Sequence, residues 1–308
     1  MKLMTFRRGA EVRAGAVVDI HVIDLVQAAK ALGVGALPAS LRLILEGGAP
    51  ALGRAAKTVR RAQGRLGQSA RGGQRRPAWA IPLQEAELAP PIPDPEKIIC
   101  IGQNYRDHCQ EHGVEPPKTP IFFTKFASTL TGPASPILLP PENLSRQVDF
   151  EVELAFVIGR GGKRISRQTA LGHVAGYMVL NDVSARDLQF ADRQWTRGKS
   201  LDSFAPCGPW LTTADEAPDP HRLRLWLKLN GRTMQESTTA NLIFDIPYLI
   251  EYISRGLTFR PGDIVSTGTP AGVGIFRKPP VSLKPGDLVE AGVEGLGELR
   301  NPCRRDRR

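Results

Sequence analysis

The sequence predicts a β-rich α+β fold, a sandwich or roll, with a smaller mixed α/β region ahead of it. From Lys97 onward, short apolar runs are separated by turns, and few helical stretches intervene. The turns Pro261-Gly262-Asp263 and Pro285-Gly286-Asp287 open strands near the end. No regular alternation of strand and helix appears, which argues against a doubly wound dinucleotide-binding sheet.

Residues 1–90 are read as a small N-terminal domain and 91–308 as the main one. The first part opens with extended runs at Met1–Phe6 and Ala16–Ile20. Asp24 is placed to cap a helix through Leu32, with Gly33 as its stop. A second helix is expected from Ser40 to Glu46. A third, from Ala51 to Gln63, has Leu52, Ala55, Ala56 and Val59 on one face and cations on the other. The Gly-, Gln- and Arg-rich stretch 64–77 reads as a loop, and the Pro-rich run 89–95 as a stiff linker. Beyond it, strands are expected at 97–102, 120–124, 148–158, 175–181, 223–229 and 263–266. Helices are expected at 105–111, 166–170 and 246–255.

The chain has 308 residues, 41% hydrophobic and 23% charged, the profile of an ordinary globular protein. Its net charge of +10 is local. Eight cations and no acid lie between Arg54 and Arg76, and four Arg accompany Asp306 in the stretch 304–308; the rest is close to neutral. The 54–76 segment has no interleaved aromatics, so base stacking is not expected and nucleic acid is an unlikely partner. No run of about 18 apolar residues occurs, so no membrane span is expected. The four cysteines form no C-x-x-C pair, and Met1–Val12 has no apolar core of a secretory signal. A cytoplasmic location with reduced thiols is therefore expected.

The sharpest chemical signal is Val148-Asp149-Phe150-Glu151-Val152-Glu153-Leu154. On a continuous strand, period two places the three carboxylates on one face and the apolar residues in the core. A solvated acidic face is the bland alternative. Against it, adjacent like charges repel, and Asp and Glu are poor strand formers. Asp182, at the end of another apolar run, is poised to join them. Carboxylate oxygens without His or Cys suit a hard cation: Mg²⁺ or Mn²⁺, with Ca²⁺ also compatible.

The segment Gly102-Gln103-Asn104-Tyr105-Arg106-Asp107-His108-Cys109-Gln110-Glu111-His112 follows an apolar strand. His108 and Glu111 share a helical face, so the carboxylate can orient the imidazole as a general base. The same residues match H-x-x-E-H, a zinc-peptidase pattern, which is the rival reading. Thr267–Gly274 lacks the Gly-Lys-Ser/Thr ending of a phosphate loop and reads instead as a Gly-rich turn around a substrate carboxylate.

Five motifs stand in a fixed order: Gly102–His108, Val148–Glu153, Asn181–Asp187, Arg197–Ser200 and Thr267–Gly274. From about Lys97 to Pro302 the chain resembles the catalytic domain of the fumarylacetoacetate hydrolase family. Gly274–Pro280 with Leu283–Asp287 resembles its domain-containing-protein-2 branch. The resemblance implies a homodimer with a β-sandwich roll, Mg²⁺ or Mn²⁺ on Glu151, Glu153 and Asp182, and a His108–Glu111 dyad. Lys199 and Gln189 match positions that contact the reacting substrate; Arg186 and Thr269 match positions near its carboxylate. Substrate choice is expected to lie in the loop after Tyr105 and in 189–197. The activity expected is hydrolysis of a C–C bond in a small 2-oxo or β-diketo acid. The alternatives on the same site are oxaloacetate decarboxylation or keto–enol tautomerisation, and isomerisation of 2-hydroxyhepta-2,4-diene-1,7-dioate.

Overall fold

The computed structural model describes every residue except 74, 192, 193, 218, 307 and 308. The last two residues of the basic tail, and two positions of the 189–197 segment, therefore lie outside the described residues. The β-rich α+β expectation holds. One large twelve-stranded sheet is faced by a five-stranded sheet, and helices cover the large sheet's other side.

The N-terminal strands Lys2–Arg8, Glu11–Val18 and His21–Asp24 form an antiparallel meander. Helix α1 (Leu25–Ala31) starts where expected, with the Asp24 carboxylate accepting from the Gln27 N–H. Helix α2 (Leu41–Glu46) is capped by Ser40. Helix α3 spans Gly48–Arg71, so much of the expected 64–77 loop is helical. The reason is tertiary. Ala62, Leu66 and Ser69 keep a buried stripe at helical spacing, and the first two pack on Val18, Ile23 and Trp79. Gly64 and Gly67 face solvent, and each costs only about 1 kcal/mol in a helix, which that packing outweighs.

The strand Lys2–Arg8 pairs with the long strand Ala205–Thr213, which in turn pairs with Val174–Asn181. The sheet thus runs across the expected division near residue 90. The Pro-rich segment is packed as well: Ala89 to Ile92 are buried, and Thr5 Oγ1 donates to Pro91 O at 2.7 Å.

In the main part, helices α4 (Arg106–His112), α5 (Arg186–Ala191), α6 (Trp195–Lys199) and α7 (Ile246–Ser254) are the α-helical elements. The helix expected at 166–170 is absent. Ser166 O accepts from the Thr169 N–H there, and a 3-10 turn follows at Ala170–His173.

The expected strand 148–158 breaks in two. Val148–Asp149 pairs with Ser184–Ala185, whereas Val152–Ile158 pairs with Val174–Asn181 and with Ile264–Ser266. At the break, side chains replace the ladder: Glu151 N–H donates to Asn181 Oδ1 (2.9 Å) and Val152 N–H to Gln235 Oε1 (2.9 Å). All seven residues of Val152–Ile158 are buried, because the strand lies in the middle layer. Val152, Leu154, Phe156 and Ile158 face the five-stranded sheet and α7, where they meet Leu227, Val289 and Ile250. Ala155 and Val157 face α1, α2 and α3, among Leu25, Ile44 and Ala55.

Candidate metal centre and active site

The register brings the carboxylates together. Val152 opposes Asn181 and Glu153 opposes Leu180, so Glu151 and Glu153 begin one strand where Asp182 leaves the other. Asp182 N–H donates to Glu151 O at 2.8 Å across this junction. Ligand oxygens of Glu151, Glu153 and Asp182 lie within 4.8 Å of one another, and all three residues are buried. They form the only such group of potential metal ligands among the described residues.

Asp149 does not join them, because the break turns it away. Its carboxylate accepts from Gly274 N–H (2.7 Å), Ile275 N–H (3.0 Å) and Arg186 Nε (2.9 Å).

Three buried carboxylates at this spacing repel strongly, and cations surround them. Lys199 Nζ lies 2.6 Å from Glu151 Oε2 and 2.9 Å from Asp182 Oδ2. Arg186 Nη2 lies 2.6 Å from Glu151 Oε1. Lys125 Nζ, completely buried, lies 2.6 Å from Asp182 Oδ1 and donates to Val183 O at 3.1 Å. Burial pushes the Glu151 carboxyl up, but Lys199 and Arg186 outweigh it and hold the group below the usual glutamate range. Burial opposes the charge of Lys199 too, yet Asp182 and Glu151 raise its pKa and keep it an ammonium.

Glu153 differs. Its Oε2 accepts from Ser266 Oγ (2.5 Å) and Gly268 N–H (2.9 Å), and among the described residues no Lys or Arg ion pair reaches it. Burial, Asp182 and Glu151 push its pKa well above the ordinary value. A divalent cation on these oxygens would relieve that repulsion, and an all-oxygen donor set fits Mg²⁺ or Mn²⁺. The residues present therefore fit the metal expected from the sequence.

His108 and Glu111 lie on α4, with Nδ1 and Oε2 3.4 Å apart. Gly272 N–H donates to Glu111 Oε1 at 2.9 Å and fixes that carboxylate. His108 lines a cavity of about 50 Å³ together with Glu151, Glu153, Asp182, Lys199 and Gln189. The structure thus brings the expected residues into one site.

In the Gly-rich turn, the N–H groups of Gly268, Gly272 and Gly274 donate to the protein's own Glu153, Glu111 and Asp149, while Thr269 lines the cavity. Glycine is required there: a Cβ on Gly272 would lie 2.1 Å from Met234 O, and one on Gly274 2.1 Å from Val281 O. Arg186 bridges Asp149, Glu151 and the Gln189 amide oxygen (3.0 Å), so its charge is already engaged. Thr269 donates its hydroxyl to Val152 O (3.1 Å) and accepts from Gln235 Nε2 (2.8 Å).

Two residues escaped the sequence reading. Lys125 follows the strand Ile121–Thr124, and only its position inside Phe122-Phe123-Thr124-Lys125-Phe126 hinted at burial. Gln235 ties Val152 N–H to Thr269 and Pro270 from a strand of the five-stranded sheet, and carried no local signal.

Residues 97–304 match the model of the C-terminal domain of fumarylacetoacetate hydrolase. The chain belongs to this family. It is 49% identical over 223 residues, 72% of this chain and 70% of the relative, to bovine (Bos taurus) oxaloacetate tautomerase FAHD2A, mitochondrial. Among solved structures it resembles a putative HpcE protein from Mycobacterium smegmatis (TM-score 0.81, 34% identity, 99% of both chains). It also resembles maleylpyruvate hydrolase from Sphingobium sp. SYK-6, solved with manganese(II) and pyruvate (TM-score 0.73, 31% identity, 100% of both chains).

These likenesses correct two expectations. The cytoplasmic location is overturned by the mitochondrial relative. The family is one of enzymes, but C–C hydrolysis is not its only chemistry, and the tautomerase alternative fits the bovine relative better. The zinc-peptidase reading lapses: His112 stacks on Phe276 at 4.5 Å, and the described metal-ligand cluster contains no His.

Proposed function

We propose that the protein is a keto–enol tautomerase of a small 2-oxo dicarboxylate, oxaloacetate foremost, dependent on Mg²⁺ or Mn²⁺ held by Glu151, Glu153 and Asp182. The observation that carries this reading is the placement of an imidazole–carboxylate pair and a carboxylate trio around one cavity of about 50 Å³. Similarity to an oxaloacetate tautomerase supports it.

When bound, the cation would polarise the 2-oxo oxygen as a Lewis acid and acidify the neighbouring C–H. His108 takes the proton from C3, the C–H pair becomes the C=C bond, the carbonyl pair moves onto oxygen, and that oxygen takes up a proton from solvent to give the enol while the imidazolium returns its own to water. Glu111, anchored by Gly272 N–H, orients the ring and stabilises the imidazolium. Lys199, kept charged by Glu151 and Asp182, holds positive charge beside the oxygen that becomes anionic. Arg186 positions Glu151 and Gln189, and Thr269 secures the strand that carries Glu153. The reverse sequence ketonises the enol. The assembly proposed is a homodimer, which light scattering on a sizing column tests.

The deciding assay follows the ultraviolet absorbance of enol-oxaloacetate with Mg²⁺ or Mn²⁺. Ketonisation well above the buffer rate, abolished in His108→Ala while metal binding persists, is expected. No acceleration, together with cleavage of acetylpyruvate, would replace this reading with the hydrolase one, which the Sphingobium likeness favours.

A further inference from the structure

His112 stands in the same cavity as the carboxylate trio, yet the mechanism above gives it no task. It lies one helical turn beyond His108 on α4, with ring centroids 6.4 Å apart. Its ring stacks on Phe276 at 4.5 Å and 28°, and that phenyl is 5.9 Å from the His108 ring, so three aromatic rings fix one wall. Gln103 Nε2 lies 3.5 Å from His112 Nδ1. A carboxamide nitrogen donating to Nδ1 would place the ring proton on Nε2, the tautomer this inference requires.

A 2-oxo dicarboxylate brings a second carboxylate into this space. Among the described residues lining the cavity, the Lys and Arg side chains are Lys199 and Arg186, and both are engaged by Glu151, Asp182 and Asp149. The far carboxylate is bonded to the carbon that His108 deprotonates, so its oxygens lie roughly 2.4 Å beyond that carbon. A contact of about 3 Å to each imidazole together with this displacement makes a bent path of about 8 Å, enough to bridge rings whose centroids are 6.4 Å apart.

Resting on the tautomerase reading, we infer that His112 is a specificity-determining residue whose Nε2–H binds the distal carboxylate of the substrate. It thereby selects four-carbon dicarboxylates over 2-oxo monoacids. His112 does not touch the reacting carbon, so its contribution is to binding and not to proton transfer.

The test uses two unreactive probes of equal chain length, malate and 2-hydroxybutanoate, which differ only in a distal carboxylate or methyl. Their affinities are measured by calorimetry on the Mg²⁺-loaded protein. Wild type is expected to prefer malate. His112→Phe keeps the ring and its stack but removes the donor. It should weaken malate about tenfold, as loss of a charge-assisted hydrogen bond does, and leave 2-hydroxybutanoate within about twofold. KM for oxaloacetate should rise in step, with kcat little changed. His112→Met, which keeps a contact to Phe276 through sulfur, is read the same way should the Phe variant not fold. Equal weakening of both probes, weakening of neither, or no wild-type preference for malate overturns the inference. Failure of the tautomerase reading shows separately, as wild-type protein that does not accelerate ketonisation whichever way the probes bind.

Discussion

Gly198 offers a direct test of how the site is held. It precedes Lys199 on α6, and a Cβ built there lies 2.6 Å from Gln189 N, 2.7 Å from Ala185 O and 2.8 Å from Gln189 Cα. These are backbone atoms of α5 and the strand before it, so no side chain can swing aside. Gly198→Ala must push the two short helices apart by a distance on the order of 1 Å. Overpacking of this kind costs about 1–3 kcal/mol, and the better helix propensity of Ala returns at most about 1 kcal/mol. The net loss of about 1–2 kcal/mol should lower Tm by roughly 2–3 °C in a chain of this size. Turnover should fall further than stability, on the order of 100-fold, because the shift separates Lys199 from Gln189 and Arg186 across the cavity. Thermal melts and the ketonisation assay read both effects. Gly172→Ala, with nothing within 4 Å of its Cβ, is the control. Wild-type turnover and melting in Gly198→Ala would refute the claim that α5–α6 contact sets the position of Lys199.

The raised pKa of Glu153 makes the metal-free carboxyl hold a proton above the ordinary glutamate range, so binding Mg²⁺ should release it. Calorimetry in buffers of different ionisation enthalpy should show proton release and an affinity that rises with pH. Identical heats in all buffers would count against this. For metal-free protein the sign is opposite: the folded state binds the proton more tightly than the unfolded one, so this group's contribution to stability declines as pH rises from the unfolded pKa through the raised one. Lys125→Met removes the partner of Asp182 Oδ1 and leaves that carboxylate paired with Lys199 alone, a loss of about 3 kcal/mol, the low end for breaking a buried pair; denaturant melts should show it, and added Mg²⁺ should restore part of it. Gly64→Ala tests the extent of α3: in an exposed helix with nothing within 4 Å of its Cβ it should stabilise by up to about 1 kcal/mol, and a destabilised variant would contradict the helix.

The carboxylate trio was legible because strand geometry turns spacing in sequence into shared direction, and Asp182 ended a clear apolar run. The same rule misplaced Asp149, since nothing local announced that Asn181 and Gln235 would take over the hydrogen bonds of Glu151 and Val152 and break the strand. The cap Asp24 was readable because its bond closes within three residues. The length of α3 was not, because its last turns depend on Val18 and Trp79, distant in sequence. Helices α5 and α6 are too short for a periodic signal, at six and five residues. The strand Ala205–Thr213 was hidden by Pro206, Gly208 and Pro209, which argue against a central strand.

That hidden strand has a practical consequence. Leu3 and Lys2 pair with Leu211 and Thr212, and Leu3, Met4 and Phe6 are completely buried. A version trimmed to the family-matching portion would leave Ala205–Thr213 with a raw flank of unpaired amides, beside an apolar sheet surface stripped of its helical cover. Such a fragment is a candidate for clumping with its own kind, and anyone seeking a smaller catalyst should redesign that flank before shortening the gene.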